Sequence, residues 1–305
     1  MDSFRGTMGR FYIDNEVRAD KKGYESLASL YHKIEKCEDK DLLLDFTLCK
    51  RFDANLASVL GAILSYLGEE NKEVFITNPA YAGVRRTLSR NNFLRAHFVE
   101  TRNEERDFYI MYKKFSISEH DQLKKYIKDK LVSNKLFPLH TEKAGEFIAE
   151  HIYEIYVNAI MHGNCAYVHS CGEFITGDSY STLDMTIVNC GTTIHERVKT
   201  YLKAKGIEQN DPCESILWAI EEGHTTKDVP GGLGLYMIKD FMRRNEGGLQ
   251  IISANAMFEY KDGEVSTTIL DNYFPGTIVN MKFNVNDNKI YYLGPEDKIN
   301  IENIF

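Results

Sequence analysis

The chain lacks any apolar run long enough to cross a bilayer. Its longest runs, such as LASVLGAIL (56–64), are short and interrupted, whereas a membrane helix needs about 20 consecutive apolar residues. The N-terminus also has no basic segment followed by an apolar stretch, which is the pattern of a secretory signal. We therefore expect a cytoplasmic protein that has no membrane partner.

Cysteine pairs and excess positive charge are missing as well. The six cysteines form no CxxC pair and show no zinc-like spacing with histidine, which predicts reduced thiols and no zinc site. The net charge of −8 argues against broad nucleic-acid binding. An arginine cluster over residues 85–95 is interpreted as a solvated helix face, so no nucleic-acid partner is expected.

A length of 305 residues, with 43% hydrophobic and 27% charged residues, is sufficient for two globular domains. In the first part of the chain, short apolar runs alternate with segments of helical spacing. Strands are predicted at 9–14, 42–47 and 73–78, and helices at 21–36, 51–67 and 82–94. This alternation predicts a small α/β domain with neighbouring parallel strands.

The boundary between the two domains is predicted near residue 116. FYIMYKKF (108–115) is interpreted as a strand that closes the N-terminal domain, and 116–132 as a connecting helix capped by Ser116 or Ser118. The predicted domains are therefore 1–115 and 140–305, joined by a connecting helix and loop over 116–139.

The pattern of the second part becomes richer in strands after one long helix. A hairpin is expected with its turn at 177–180, and a mixed sheet is predicted. The expected elements are helices at 147–163, 212–223 and 235–245, a polar glycine-rich loop at 224–234, and strands at 172–176, 183–188, 249–256, 265–270 and 276–285.

The helix at 147–163 carries an apolar and a polar arc at about 100° per residue. The apolar arc contains Ile148, Ile152, Ile155 and Ala159, and the polar arc contains His151, Glu154, Asn158 and His162. A solvated helix face would explain the polar arc, but asparagine has poor helix propensity, and Asn158 lies one turn after an acid. An asparagine carbonyl can hold hydrated Mg²⁺, and a glutamate can polarise a water.

Three segments occur in an order that suggests a family: EIYVNAIMHG (154–163), IVNCGTTI (187–194) and HTTKDVPGGLGLYMI (224–238). Together they resemble the GHKL or Bergerat ATP-binding fold, a two-layer α/β sandwich shared by gyrase, the heat-shock chaperone, histidine kinases and mismatch-repair ATPases. The form of the first segment looks most like the anti-sigma-factor serine kinases. The resemblance covers about residues 140–285.

The resemblance implies roles for individual residues. Asn158 matches the asparagine that holds Mg²⁺, His162 belongs to the same motif, and Glu154 matches the general base of members that use one. The aspartate that binds adenine corresponds to Asn189, and the glycine under the base corresponds to Gly191.

Further residues are assigned to phosphate and base contacts by the same resemblance. Gly232 and Gly234, before the helix that begins near Leu235, would bring backbone N–H groups to the phosphates. Thr277 follows Gly276 in a Gly-Thr signature near the adenine, and Lys227 would be a lid residue that contacts phosphate. Taken singly, these positions are equally compatible with a loop hinge, a turn and a solvated lysine.

Two residues depart from the family pattern. Asn189 replaces the usual aspartate, so the charge-assisted strength of the adenine contact is lost and weaker adenine binding is expected. Thr193 occupies a position where a second glycine is common, so its side chain would approach the nucleotide or reshape the loop.

The N-terminal domain has a fainter resemblance, carried by DFTLCKRFDANLASVLGAIL (45–64), to STAS domains, the anti-sigma-antagonist modules. Such modules carry a phosphorylatable serine near the position of Asn55. The match would imply a docking or scaffolding role without phosphorylation there. An ordinary small α/β domain is the alternative.

These features favour a regulatory protein that binds Mg²⁺ and ATP and changes a protein partner, of STAS or sigma type, through closure of the lid at 223–234. Two alternatives remain: a serine/threonine kinase of anti-sigma type or slow ATPase, and an interaction platform that has lost nucleotide binding. Because GHKL proteins commonly pair, a homodimer also remains open.

Overall fold

Residues 8–99, 108–176, 181–226 and 232–294 are described by the structure, a computed structural model of the chain. Over these ranges the chain is an α/β protein that combines helices with parallel and antiparallel sheets. None of the helices within them has the length and apolar character needed to cross a membrane.

The N-terminal unit is built on a three-stranded sheet of order β1-β3-β5 in which both pairings are parallel. The prediction of neighbouring parallel strands with alternating helices is confirmed for this part of the chain. Its elements are β1 (Gly9–Tyr12), β2 (Glu16–Val17), α1 (Lys21–Glu35), β3 (Asp41–Asp45), β4 (Arg51–Phe52), a 3₁₀ turn (Ala54–Leu56), α2 (Ala57–Glu69), β5 (Glu73–Ile76), α3 (Ala82–Arg90) and α4 (Phe93–Ala96).

The C-terminal unit is a five-stranded sheet of order β6-β7-β8-β10-β9 with helices before and between its strands. Its elements are β6 (Tyr109–Ser116), α5 (His120–Tyr126), a π-helix (Ile127–Val132), α6 (Glu142–Gly163), β7 (Tyr167–Thr176), β8 (Ser181–Cys190), α7 (Ile194–Ala204), α8 (Pro212–Ala219), α9 (Gly234–Asn245), β9 (Gly248–Lys261) and β10 (Glu264–Asn284).

The sheet of the C-terminal unit is antiparallel in all four of its described pairings, so the expectation of a mixed sheet is wrong. β8 and β9 do run in the same direction, as a long helical connection between them would suggest. However, β10 folds back from β9 and lies between the two, which leaves only antiparallel neighbours. The two strands expected at 265–270 and 276–285 are one long strand, whose pairing with β9 shifts register between Ile269 and Thr277.

β6 was predicted to close the N-terminal unit, and this assignment is wrong. The strand pairs with β7 from Tyr109 opposite Glu173 to Ser116 opposite Tyr167, which makes it an edge of the C-terminal sheet. The next helix also begins later than predicted, at His120. Ser116 does not cap it, because its amide and hydroxyl both donate to the carboxylate of Glu119, at 2.8 and 3.0 Å.

The C-terminal sheet is covered on both faces, because successive side chains of a strand point to opposite sides. Ile187 and Val279 belong to the core beneath α6 and α9, whereas their neighbours Val188 and Ile278 belong to the core of the N-terminal unit. On the second face α2 packs against β7 and β8, and α1 packs against β10. The two units therefore share one sheet as their common layer.

Buried polar side chains join the two units across this second face. The amide of Asn55 donates to Thr186 Oγ1 and to Asn280 Oδ1, both at 3.0 Å. Asn280 Nδ2 in turn donates to Gln250 Oε1 at 3.0 Å, and that oxygen also accepts from the hydroxyl of Tyr24. Buried polar groups favour the one arrangement that satisfies all of them, so the network fixes how the N-terminal unit sits on the sheet.

Asn55 is therefore a contact residue within the chain. It is 2% exposed and lies against the sheet, at the position where the STAS resemblance would place a phosphorylatable serine. A phosphate group at this position would have no access to solvent in the docked arrangement. The resemblance of the N-terminal unit to STAS domains itself stays a prediction.

Candidate functional site

A pocket opens on the helical face of the C-terminal sheet, between α6, α7, α8, the start of α9 and the strands β8 and β10. Its cavity volume is about 130 Å³, and its mouth is open to solvent. Five residues assigned to nucleotide binding line this pocket together: Asn158, Asn189, Gly232, Leu235 and Thr277.

Among the described side chains of the polar arc of α6, Asn158 lines the pocket, and Ile155 and Ala159 of the apolar arc line it as well. The helix begins at Glu142, where the Thr141 hydroxyl caps it by accepting from the amide of Ala144 at 3.2 Å. The predicted apolar arc is packed into the core, whereas Glu154 and Asn158 are half-buried on the other side. The backbone of α6 therefore presents an acid and an amide one turn apart at the pocket and its rim.

The floor of the pocket is formed by two paired strand residues, Asn189 on β8 and Thr277 on β10. The Thr277 hydroxyl lies 2.9 Å from Ser253 Oγ, which also accepts from the amide of Ile194. Asn189 is 1% exposed, and its Nδ2 has no hydrogen-bond partner within the described part of the chain. A buried N–H donor without a hydrogen-bond partner is unusual, and it costs free energy unless a ligand or a water molecule accepts its hydrogen bond.

Two of the glycines assigned to the site are required by backbone geometry. Gly191 has a φ of +146°, and a Cβ there would lie 2.1 Å from the carbonyl oxygen of Gly163. Gly232 has a φ of +80°, and a Cβ there would lie 2.0 Å from the carbonyl oxygen of His224. Both contacts are closer than any side chain allows, so these positions would need glycine even without a nucleotide.

Glu154 lies against the first turn of α9. A Cβ on Gly234 would come within 3.0 Å of the Glu154 side-chain carbon Cδ and 3.1 Å of Oε2. The residue before this helix, Leu233, makes no side-chain cap. A carboxylate is favourable there because the N-terminus of a helix carries partial positive charge and free N–H groups. The same end of α9 is where phosphate would be favoured.

Sequence reasoning missed the wall of the pocket formed by α7 and α8. Trp218, the single tryptophan of the chain, stacks on His224 with ring centroids 4.6 Å apart, and both line the pocket together with Arg197. The helix α7 was absent from the prediction although its start carries a Thr-x-x-Glu pattern at Thr193 and Glu196. This capping-box pattern is a sequence signal that could have located it.

The expected effect of Thr193 is corrected by its position as the N-cap of α7. Its hydroxyl and the Glu196 carboxylate form a reciprocal capping box: the backbone amide of each residue donates to the side chain of the other, at 2.7 and 3.2 Å. Thr193 does line the pocket, but its side chain is committed to the helix. The substitution relative to the family pattern therefore has a structural explanation.

Removing this cap gives a stability prediction. Thr193→Ala is expected to lower the free energy of unfolding by about 1 kcal/mol, because the Glu196 amide and carboxylate both lose the Thr193 hydroxyl as a partner. Urea denaturation of the variant and the wild type measures this difference. Thr193→Ser keeps the hydroxyl and serves as the control, so an equal loss in both variants would contradict the capping role.

Burial holds the thiols of Cys165 and Cys190 neutral, and neither residue lines the pocket. The pKa of the Cys165 thiol is raised to about 11, and that of Cys190 is raised well above its ordinary value. Both remain protonated near neutral pH, and a protonated thiol is a poor nucleophile and a poor metal ligand. These two thiols therefore supply no reactive group to the pocket.

The described residues contain no cluster of three or more histidine, cysteine, aspartate or glutamate side chains that could hold a metal ion. Mg²⁺ bound through an asparagine carbonyl, water and substrate phosphates does not need such a cluster.

Of the remaining assigned residues, Lys227 lies outside the described ranges, and so does the side chain of His162. The expected hairpin turn at 177–180 also falls outside them.

A scan of the sequence against protein-family models finds no match. A comparison with curated protein sequences finds none either.

Proposed function

We propose that this protein binds Mg²⁺ and ATP as a regulatory member of the histidine-kinase-like ATPase superfamily and acts on a protein partner through closure of the loop before α9. One observation carries this proposal. Residues assigned to the nucleotide from sequence motifs lie on α6, on β8, at the start of α9 and on β10, and they line a single pocket. The convergence of segments separated by more than 100 residues on one pocket supports a shared ligand.

The residues of the pocket fit the groups of a nucleotide in a consistent order. Asn189 and Thr277 on the floor can bind a base, and the N-terminus of α9 can receive phosphates. Asn158, half-buried on α6, offers the oxygen that would hold Mg²⁺. When bound, the metal would neutralise charge on the phosphate oxygens.

An active kinase or slow ATPase is the second candidate, favoured by the position of Glu154. Its carboxyl group is half-buried at the first turn of α9, next to the place proposed for the phosphates. A carboxylate there can accept a proton from an attacking hydroxyl or water. The third candidate, an interaction platform without nucleotide, is supported by the docked N-terminal unit, which already uses one face of the sheet for a domain contact.

The test is calorimetric titration with a non-hydrolysable ATP analogue, with and without Mg²⁺. We expect saturable binding that Mg²⁺ strengthens, and Asn158→Ala should weaken the Mg²⁺-dependent affinity by about tenfold or more, as for other losses at a metal site. Asn288→Ala, an exposed asparagine that does not line the pocket, is the matched control. Absence of binding by the folded wild type would refute the proposal and leave the interaction platform.

A further inference from the structure

Asn189 places a neutral carboxamide at the buried end of the pocket. The residue is 1% exposed and lines the pocket, and the structure shows no hydrogen-bond partner for its Nδ2 among the described residues. The nitrogen lies close to the backbone of Gly163, where a Cβ would come within 2.3 Å of it. The group is thus desolvated, and an acceptor on a ligand would relieve its unmet hydrogen bond.

The strands around this amide present no ionisable side chain to the pocket. The strand residues that line it are Ile187, Asn189, Thr277 and Val279. The Thr277 hydroxyl is already paired with Ser253 at 2.9 Å. Asn189 is therefore the floor residue whose side-chain Nδ2 has an unmet hydrogen bond. The donor and acceptor atoms of this side chain decide which edge of a base the floor prefers.

A carboxamide and a carboxylate differ in what they can recognise. A carboxylate only accepts hydrogen bonds, so it pairs with the amino group of a 6-aminopurine but is opposed by N1, and it pairs with the N1–H of a 6-oxopurine but is opposed by the carbonyl oxygen. A carboxamide carries one acceptor and one donor side by side. It matches the amino group and N1 of a 6-aminopurine, and, with its oxygen and nitrogen exchanged by rotation, the carbonyl and N1–H of a 6-oxopurine.

We propose that Asn189 makes this pocket accept 6-oxopurine nucleotides as well as 6-aminopurine nucleotides. The inference rests on the proposed nucleotide function and specifies its substrate class. The pocket selects a purine by shape and by the apolar side chains beside the base, and it does not distinguish the two substituents at position 6.

The experiment compares non-hydrolysable analogues of adenosine and inosine triphosphate, which differ in the base only at position 6. Trp218 lines the pocket and is the single tryptophan, so its fluorescence reports occupancy. Trp218→Phe corrects for absorption by the nucleotides, and calorimetry gives an independent affinity. The wild type is expected to bind the two analogues with dissociation constants within about thirtyfold, far below the roughly 10⁴-fold rejection of a site built for one hydrogen-bonding pattern.

The Asn189→Asp variant provides the second comparison, and thermal melting checks that this variant is folded. In a folded variant both analogues should lose about tenfold in affinity, because a carboxylate oxygen would face N1 of the adenosine analogue or the carbonyl oxygen of the inosine analogue. If the wild type binds the adenosine analogue but binds the inosine analogue more than about thirtyfold more weakly, the inference is overturned and the proposed function is left intact. Binding of neither analogue overturns both. The wild-type comparison decides the question even if the aspartate variant does not fold.

Discussion

Gly191→Ala is expected to lower the free energy of unfolding by about 3 kcal/mol or more. The residue has a φ of +146°, which a side chain disfavours, and the new Cβ would lie 2.1 Å from the carbonyl oxygen of Gly163. That oxygen also accepts from the amide of Thr192 at 2.6 Å. The end of α6 would have to move away from β8, so binding at the pocket should be lost as well.

The variant Gly206→Ala is the matched control, which separates the cost of the backbone conformation from the cost of the collision between the new Cβ and a carbonyl oxygen. Gly206 also has a positive φ, +76°, but nothing lies within 4 Å of the position of its Cβ. Gly206→Ala should therefore cost only about 1 kcal/mol, the penalty of the backbone conformation. Urea denaturation of both variants measures the difference. Equal losses would show that the close approach of Gly191 to Gly163 does not constrain the fold.

Asn280→Ala is expected to destabilise the protein by about 3 kcal/mol, because it removes the centre of the polar network between the two units. Its oxygen accepts from Asn55 at 3.0 Å and from Thr186 at 2.8 Å, and its nitrogen donates to Gln250 at 3.0 Å. The residue is 1% exposed. Alanine would leave buried polar groups without partners and would also open a small cavity.

The control for this network is an asparagine on the surface. Asn288 is exposed, and Asn288→Ala should change the unfolding free energy by less than about 0.5 kcal/mol. Chemical denaturation followed by circular dichroism compares the two variants. A loss below 0.5 kcal/mol for Asn280→Ala would mean that the units are held together by apolar packing alone.

Local periodicity was sufficient to predict most helices and strands. The alternating strands and helices of the N-terminal unit and the long helix α6 were recovered because each depends on spacing within a few residues. The placement of Asn158 of the polar arc at the pocket depends on the same local spacing. Motif order further grouped positions as distant as Asn158 and Thr277, which line one pocket in the structure.

Features that depend on distant pairing could not be read from the sequence in the same way. β6 has the same apolar character whichever sheet it joins, and its partner β7 lies beyond the whole of α6. The position of β10 between β8 and β9 likewise depends on tertiary packing, which is why the sheet was expected to be mixed. The stacked Trp218 and His224 were missed because the resemblance assigns no role to either residue, although His224 opens the segment 224–238.

The segment of β10 from Thr277 to Asn280 serves both halves of the molecule alternately. Thr277 and Val279 line the pocket, while Ile278 packs in the core of the N-terminal unit and Asn280 joins its polar network. A single inserted or deleted residue here would exchange the two faces, so that Ile278 and Asn280 would turn to the pocket and Thr277 and Val279 to the N-terminal unit. A substitution in this segment disturbs one face of the sheet, whereas a change in its length shifts the register and disturbs both faces. The length of the segment is therefore more strictly constrained than the identity of any one of its residues.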